Sequence, residues 1–187
     1  MVCSCFKTAA FLTVMFLSLI AFPVTGSTET PRVEQAVAVI HPTQGNDIQG
    51  IVTFTQEKRG TYVQVDLQGL TPGKHGFHIH EYGDCSASDA TSAGGHYNPT
   101  DMPHAGPDAA KRHVGDLGNV TADDSGRVSE NFLDPVISLN GPHSLVGLSV
   151  VVHEGADDFT SQPSGDAGPR VGCGVVGIRK ESGDRAN

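Results

Sequence analysis

Downstream of residue 26 this chain offers no dozen residues with an apolar face at helical spacing. Its apolar residues fall in short runs broken by glycine and turn residues. The runs 33–40, 50–54, 61–67, 76–80, 126–132, 145–153 and 172–178 suit strands, and Glu57-Lys58-Arg59-Gly60 reads as a hairpin turn between two of them. With 23 glycines and 11 prolines to supply turns, an all-β sandwich or barrel is expected over an α/β fold. A chain of 187 residues has room for one ordinary core.

The N-terminus departs from this rhythm. Lys7 precedes an apolar run over 9–21, interrupted only by Thr13 and Ser18 and followed by Phe22-Pro23-Val24. Its length is that of a signal-peptide core and short of the roughly 20 residues that a membrane span needs. Residues 1–26 are therefore read as a signal peptide cleaved after Gly26, leaving 27–187 as the mature domain. An uncleaved anchor is the alternative, and no charged stop-transfer block follows to support it. Stable membrane insertion is not expected after cleavage. The formal charge of -9 disfavours a binder of nucleic acid or of anionic membranes. Cys3 and Cys5 fall in the leader, so Cys85 and Cys173 are the mature pair. In an oxidising compartment they read as a disulfide joining a loop to a strand, against the alternative of two reduced core thiols.

Two stretches, 81–119 and 154–170, are polar and rich in glycine and proline. Loops this long need a disulfide, a metal or a function to offset their ordering entropy. The first holds His96, His104 and His113. His78 and His80 stand two apart in a strand and share a face, while Phe77 and Ile79 take the other. Such a pair alone is more often structural than ligating. His96, His104, His113 and Asp116 add three imidazoles and a carboxylate, a set that suits tetrahedral zinc. His78, His80 and His153 can form a second, imidazole-rich centre suited to copper. His41, His75 and His143 have no place in this pattern and read as surface or local hydrogen-bonding groups.

Five segments carry a resemblance: Gly76-Phe77-His78-Ile79-His80-Glu81, Gly94-Gly95-His96-Tyr97-Asn98-Pro99, His113-Val114-Gly115-Asp116-Leu117-Gly118-Asn119, Val151-Val152-His153-Glu154 and Gly168-Pro169-Arg170-Val171-Gly172-Cys173-Gly174. Through them the chain resembles the copper/zinc superoxide dismutases over essentially the whole of 27–187. The resemblance implies a Greek-key barrel or sandwich of about eight antiparallel strands with two long functional loops. It implies one copper per subunit held by His78, His80, His96 and His153, and one zinc held by His96, His104, His113 and Asp116. The implied reaction is dismutation of superoxide to oxygen and hydrogen peroxide by alternating copper reduction and oxidation. His96 then bridges the metals and takes a proton during the cycle, while Arg170 attracts and docks superoxide. Asp157 matches a carboxylate linking His78 to His104, Cys85 and Cys173 match an intrasubunit disulfide, and Gly83, Gly147 and Ile178 match the interface of a homodimer.

The 154–170 loop is shorter than the charged loop of the cytosolic animal enzymes and closer to many bacterial versions, and Gly155 stands where those animal proteins often carry lysine. Anion steering is therefore expected to rest on Arg170 with Lys111 and Arg112. The leader implies a secreted, extracellular protein, with a periplasm as the alternative. Asn119-Val120-Thr121 has the form of an N-glycosylation sequon. The competing readings are a secreted copper/zinc-binding module without significant dismutase activity, and a relative of the dismutase-like domain of copper chaperones. A complete ligand set together with Arg170 favours the enzyme.

Overall fold

The structure, a computed structural model, describes residues 1–2 and 32–180. The cleavage position, Cys3, Cys5 and the tail 181–187 lie outside the described residues. Eight strands follow one another along the unit that begins at Arg32: β1 (Gln35–Pro42), β2 (Gln49–Glu57), β3 (Gly60–Gln68), β4 (Gly73–His80), β5 (Asp116–Ala122), β6 (Val128–Asp134), β7 (Ser149–His153) and β8 (Arg170–Ile178). A single 3₁₀ turn, Thr91–Ala93, is the helical element among the described residues, and no helix there is long and apolar enough to cross a membrane.

All ladders are antiparallel, and the spatial order is β5-β4-β7-β8-β1-β2-β3-β6. Glu57 pairs with Gly60, so Lys58-Arg59 is a two-residue hairpin loop between β2 and β3. After β3 the chain crosses to the far side to lay down β4 and β5, then returns to place β6 beside β3. This Greek-key path brings the outer strands together into a nearly closed barrel, and on the β5 edge Thr121 N donates to Glu130 Oε1 of β6 at 3.0 Å. Phe54, Val63, Val65, Phe77, Ile79, Val150, Val152 and Val176 fill the interior. Each such side chain contributes roughly 1.5–3 kcal/mol by burial.

The alternation of β4 divides the molecule. Phe77 and Ile79 point into the barrel, and His78 and His80, also buried, point to the opposite face. Most strand ends move by no more than three residues, and two readings change further. β7 begins at Ser149 rather than 145, and β5 occupies 116–122, partly within what reads as the first long loop. Asp116, Gly118 and Asn119 hide the strand signal of β5; it forms because β4 supplies a ladder, with His78 opposite Asp116 and Gly76 opposite Asn119.

Candidate metal centre

The loops 81–115 and 154–169 cover the outer face of β4 and β7. Cys85 is joined to Cys173 of β8, so the first loop is tied covalently to the barrel. The Arg170 guanidinium ties the same loop by hydrogen bonds to Ala90 O and, at 2.6 Å, to Gly94 O. The second loop closes where Asp158 N donates to Gly165 O at 2.9 Å. Gly165 has φ +70, and a Cβ there would collide with the Asp157 carboxylate and stand 2.7 Å from His104 Nε2, so glycine alone permits this closure.

Beneath the loops lie two groups of ligand atoms, His78, His80, His96 and His153 in one and His96, His104, His113 and Asp116 in the other. All seven residues are buried, and within each group the ligand atoms lie within 4.8 Å of one another. In the first, each ring nitrogen on the outer side is already engaged. His78 Nε2 meets Asp157 Oδ2 at 2.8 Å, His80 Nδ1 meets Gly94 O at 2.9 Å, and His153 Nδ1 meets Gly168 O at 3.0 Å. These partners fix the tautomers, leaving His78 Nδ1, His80 Nε2, His96 Nε2 and His153 Nε2 buried with no hydrogen-bond partner among the described residues. Four bare imidazole nitrogens aimed into one space fit a transition-metal cation that favours nitrogen, such as copper. Burial lowers His78 to about 4 and His153 to about 3, and moves His80 well below its ordinary value. His78, His80 and His153 are therefore neutral near pH 7 and able to ligate.

The second group converges on one oxygen. His96 Nδ1, His104 Nδ1 and His113 Nδ1 lie 2.9, 3.0 and 3.1 Å from Asp116 Oδ1. These spacings approach the edges of a zinc tetrahedron, whose bonds of about 2.0–2.1 Å imply edges of roughly 3.3 Å. His104 Nε2 donates to Asp157 Oδ1 at 2.9 Å, so a neutral His104 turns the bare lone pair of Nδ1 toward the Asp116 carboxylate. That contact is repulsive unless a cation lies between. Without a metal a proton serves: burial works to lower His104, but Asp116 and Asp157 raise it to about 9. Burial works to raise Asp116 and Asp157, and their histidine hydrogen bonds prevail, holding both well below the usual carboxylate range.

His96 belongs to both groups, with Nδ1 toward Asp116 and Nε2 toward the first cluster. Asp157 is a second link between them through His78 and His104. His80, His96 and His153 open onto a cavity of about 410 Å³ bordered by Arg170, Asn98 and Pro163.

Other expected residues fall differently. Arg112 is only 5% exposed; it pairs with Asp134 Oδ2 at 2.5 Å and donates to Asp116 O at 2.8 Å. Its charge braces the loop from beneath and is not presented to an approaching anion, so of the cations expected to assist Arg170 only Lys111 is exposed. Gly83 and Gly147 approach each other within the chain, where a Cβ on Gly83 would collide with Gly147 O, while Ile178 is 65% exposed. Asn119 directs its side chain to the backbone of Asp157. His75 is buried, its Nδ1 2.9 Å from His153 O and its Nε2 2.8 Å from Thr71 O, so it braces the backbone of a cluster residue. Gln162 holds His104 N and O at 2.9 and 2.8 Å. No spacing in the sequence signals His75 or Gln162, because both act on backbone atoms brought near only by folding.

A Greek-key barrel with an all-imidazole cluster, joined through one histidine to a cluster of three histidines and a carboxylate, has the site of a dinuclear copper–zinc protein. The family model "Copper/zinc superoxide dismutase (SODC)" matches residues 48–176, and the chain belongs to that family. It is 47% identical over 156 residues to an extracellular Cu-Zn superoxide dismutase of Drosophila melanogaster, covering 78% of this chain and 86% of the relative. It is 38% identical over 186 residues to a Cu-Zn superoxide dismutase of Paramecium bursaria Chlorella virus 1, covering 96% and 98%. A crystal structure of the clock protein EA4 superimposes with a TM-score of 0.74 at 43% identity, covering 81% of this chain and 98% of that one. The chain is accordingly a superoxide dismutase, converting two superoxide anions and two protons to oxygen and hydrogen peroxide with copper and zinc as cofactors.

Proposed function

We propose that this reaction runs at the cluster of His78, His80, His96 and His153, and that His96, His104, His113 and Asp116 hold the zinc. The observation carrying the assignment is the set of four buried, partnerless imidazole nitrogens beside a carboxylate oxygen on which three more imidazole nitrogens converge. When bound, copper supplies reversible one-electron exchange with superoxide, and zinc supplies fixed charge without redox chemistry. His78, His80 and His153 hold their rings in the ligating tautomer through Asp157, Gly94 O and Gly168 O. His96 Nε2 is the atom that holds a proton and hands it toward the peroxide product. Arg170 borders the cavity, and its guanidinium attracts and orients the anion.

The mature enzyme is residues 27–187, exported behind a cleaved leader over 1–26. The apolar run after Lys7 supports this, as do relatives from Drosophila melanogaster and Brugia pahangi named extracellular, which favour the extracellular space over a periplasm. The enzyme is a homodimer, neither bound to nucleic acid nor inserted in a membrane. Exposed Tyr82 and Val175, beside the Gly83–Gly147 contact, and exposed Ile178 at the end of β8 support an apolar subunit interface. The assignment is tested on purified 27–187 with metal content measured. Superoxide consumption that requires copper, falls after His153→Ala and survives removal of residues 1–26 is expected; two bound metals without consumption would refute it.

A further inference from the structure

Asp157 and His104 are joined to each other, Nε2 to Oδ1 at 2.9 Å, and between them they touch both ligand clusters. Their side-chain atoms are spent on this task, so something else must hold their backbones against the movement of two long loops. For each residue, the partner is a single side-chain amide. Asp157 N donates to Asn119 Oδ1 at 2.7 Å, and Asn119 Nδ2 donates back to Asp157 O at 2.9 Å. His104 N donates to Gln162 Oε1 at 2.9 Å, and Gln162 Nε2 donates back to His104 O at 2.8 Å. Each amide thus reproduces the two-bond exchange of paired residues in an antiparallel ladder, from a side chain and at a place no strand reaches.

We propose that Asn119 and Gln162 are positioning residues for the paired metal site, fixing Asp157 and His104 respectively, and that this use of Asn119 closes the Asn119-Val120-Thr121 sequon to glycan attachment. The inference rests on the metal-site assignment above. Asn119 lies three residues after Asp116 in β5, so one short strand supplies a zinc-side ligand directly and the backbone brace for Asp157 as well. Gln162 comes from the short 154–169 loop and reaches back to the loop carrying His104, joining the two long loops across the zinc side. The exclusion of glycan follows from amide geometry. Glycosylation forms a bond from Nδ2 to sugar C1, loses one N–H proton, and releases the diphosphate of an activated sugar donor. In the resulting trans amide the sugar lies on the same side as Oδ1. That side carries the hydrogen needed to donate to Asp157 O while Oδ1 accepts from Asp157 N, so the brace and the glycan are mutually exclusive.

The test uses zinc and Co²⁺ as probes on the mature protein, comparing parent, Asn119→Asp, Gln162→Glu and Thr121→Ala. The acidic variants keep size and one acceptor but lose the donor and face a carbonyl with an oxygen; Thr121→Ala removes the sequon and leaves the brace. Asn119→Asp and Gln162→Glu are each expected to lose zinc to a chelator about tenfold more readily and to shift the visible absorption of Co²⁺ at the zinc site, with Thr121→Ala matching the parent. Lowered melting temperature with an unchanged Co²⁺ spectrum and unchanged zinc retention would overturn the positioning role. Should a variant fail to fold, peptide mapping of the parent secreted from a glycosylating host decides the matter of Asn119. Zinc-loaded protein is expected unmodified there, and full zinc content on Asn119-glycosylated chains would refute the exclusion. A parent that binds no zinc would instead refute the underlying site assignment.

Discussion

Arg170 and His80 donate to the same acceptor, with Gly94 O 2.6 Å from Arg170 Nη2 and 2.9 Å from His80 Nδ1. One loop carbonyl therefore sets the tautomer of a cluster histidine and the aim of the cation beside it. Gly94 has φ +77, and a Cβ there would come within 2.7 Å of Glu81 Oε2 and Tyr82 Cδ2. The peptide can take this turn only with glycine. The Cys85–Cys173 bond holds the same loop to β8, the strand that begins with Arg170.

Substituting Arg170 should separate charge from geometry. Two unit charges at 4 Å interact by about 1 kcal/mol in bulk water and more strongly in a partly desolvated cavity. Arg170→Lys keeps the charge but loses the fork that reaches Ala90 O and Gly94 O together. The second-order rate should fall in the order parent, Lys, Glu, with the Glu variant down about tenfold or more. Added salt should slow the parent and the Lys variant and leave the Glu variant level or faster, because it screens attraction in one case and repulsion in the other. Stopped-flow superoxide decay at verified copper and zinc content checks this; equal rates for all three proteins would reject Arg170 as the guide.

Replacing Cys85 and Cys173 by serine releases a closure spanning 88 residues. In the chain-entropy model that closure stabilises by about 4–5 kcal/mol. The double variant should melt well below the parent and lose activity further, since the loop presenting Gly94 O is no longer tied to β8. Calorimetry with assays below the melting range would separate the effects, and an undiminished melting temperature would contradict this role.

Asp116→Ala removes the oxygen on which three imidazoles converge and leaves His113 N and Ala105 N without their carboxylate acceptor. Truncating such a buried network costs about 3–5 kcal/mol. Metal analysis should show zinc lost before copper, together with a lower melting temperature. Retained zinc at parental stability would exclude Asp116 as a ligand.

Much of the site was legible because its chemistry is concentrated in residue types with few other uses. His78 and His80 show their shared face by spacing alone, and the motifs around His96, His113 and His153 point to further members of the two clusters. Asp157 is legible only by resemblance, since an aspartate in an acidic loop carries no signal of its own. Arg112 reads in sequence as a steering cation because no local window can show that Asp134 and three carbonyls surround it. β5 was hidden for a related reason: its ligand and brace residues displace the apolar alternation by which strands are recognised. The brace made by Gln162 depends on two loops meeting, a relation absent from any local window.

The opposed shifts within the two clusters predict a stability maximum for the metal-free protein near pH 6.5. Burial lowers His78 to about 4, His153 to about 3 and His80 well below its ordinary value, whereas an unfolded chain protonates histidine near pH 6.5. Below that point the unfolded chain binds more protons than the folded one, so stability falls as pH drops from about 6.5 toward 4. Asp116 and Asp157, both held below the usual carboxylate range, extend the loss at still lower pH. His104 acts with the opposite sign. Raised to about 9 in the fold, it is protonated in both states below pH 6.5 and only in the folded state between about 6.5 and 9, so its stabilisation is lost as pH rises through that window. Zinc held by the proposed cluster would supply the positive charge that His104 and Asp116 otherwise share a proton to provide, so saturation with zinc should abolish the alkaline decline. Urea unfolding of metal-free protein from pH 4 to 9.5, repeated with zinc, would check both limbs. A metal-free protein whose stability rises from pH 6.5 to 9 would show that no proton is held between these two residues.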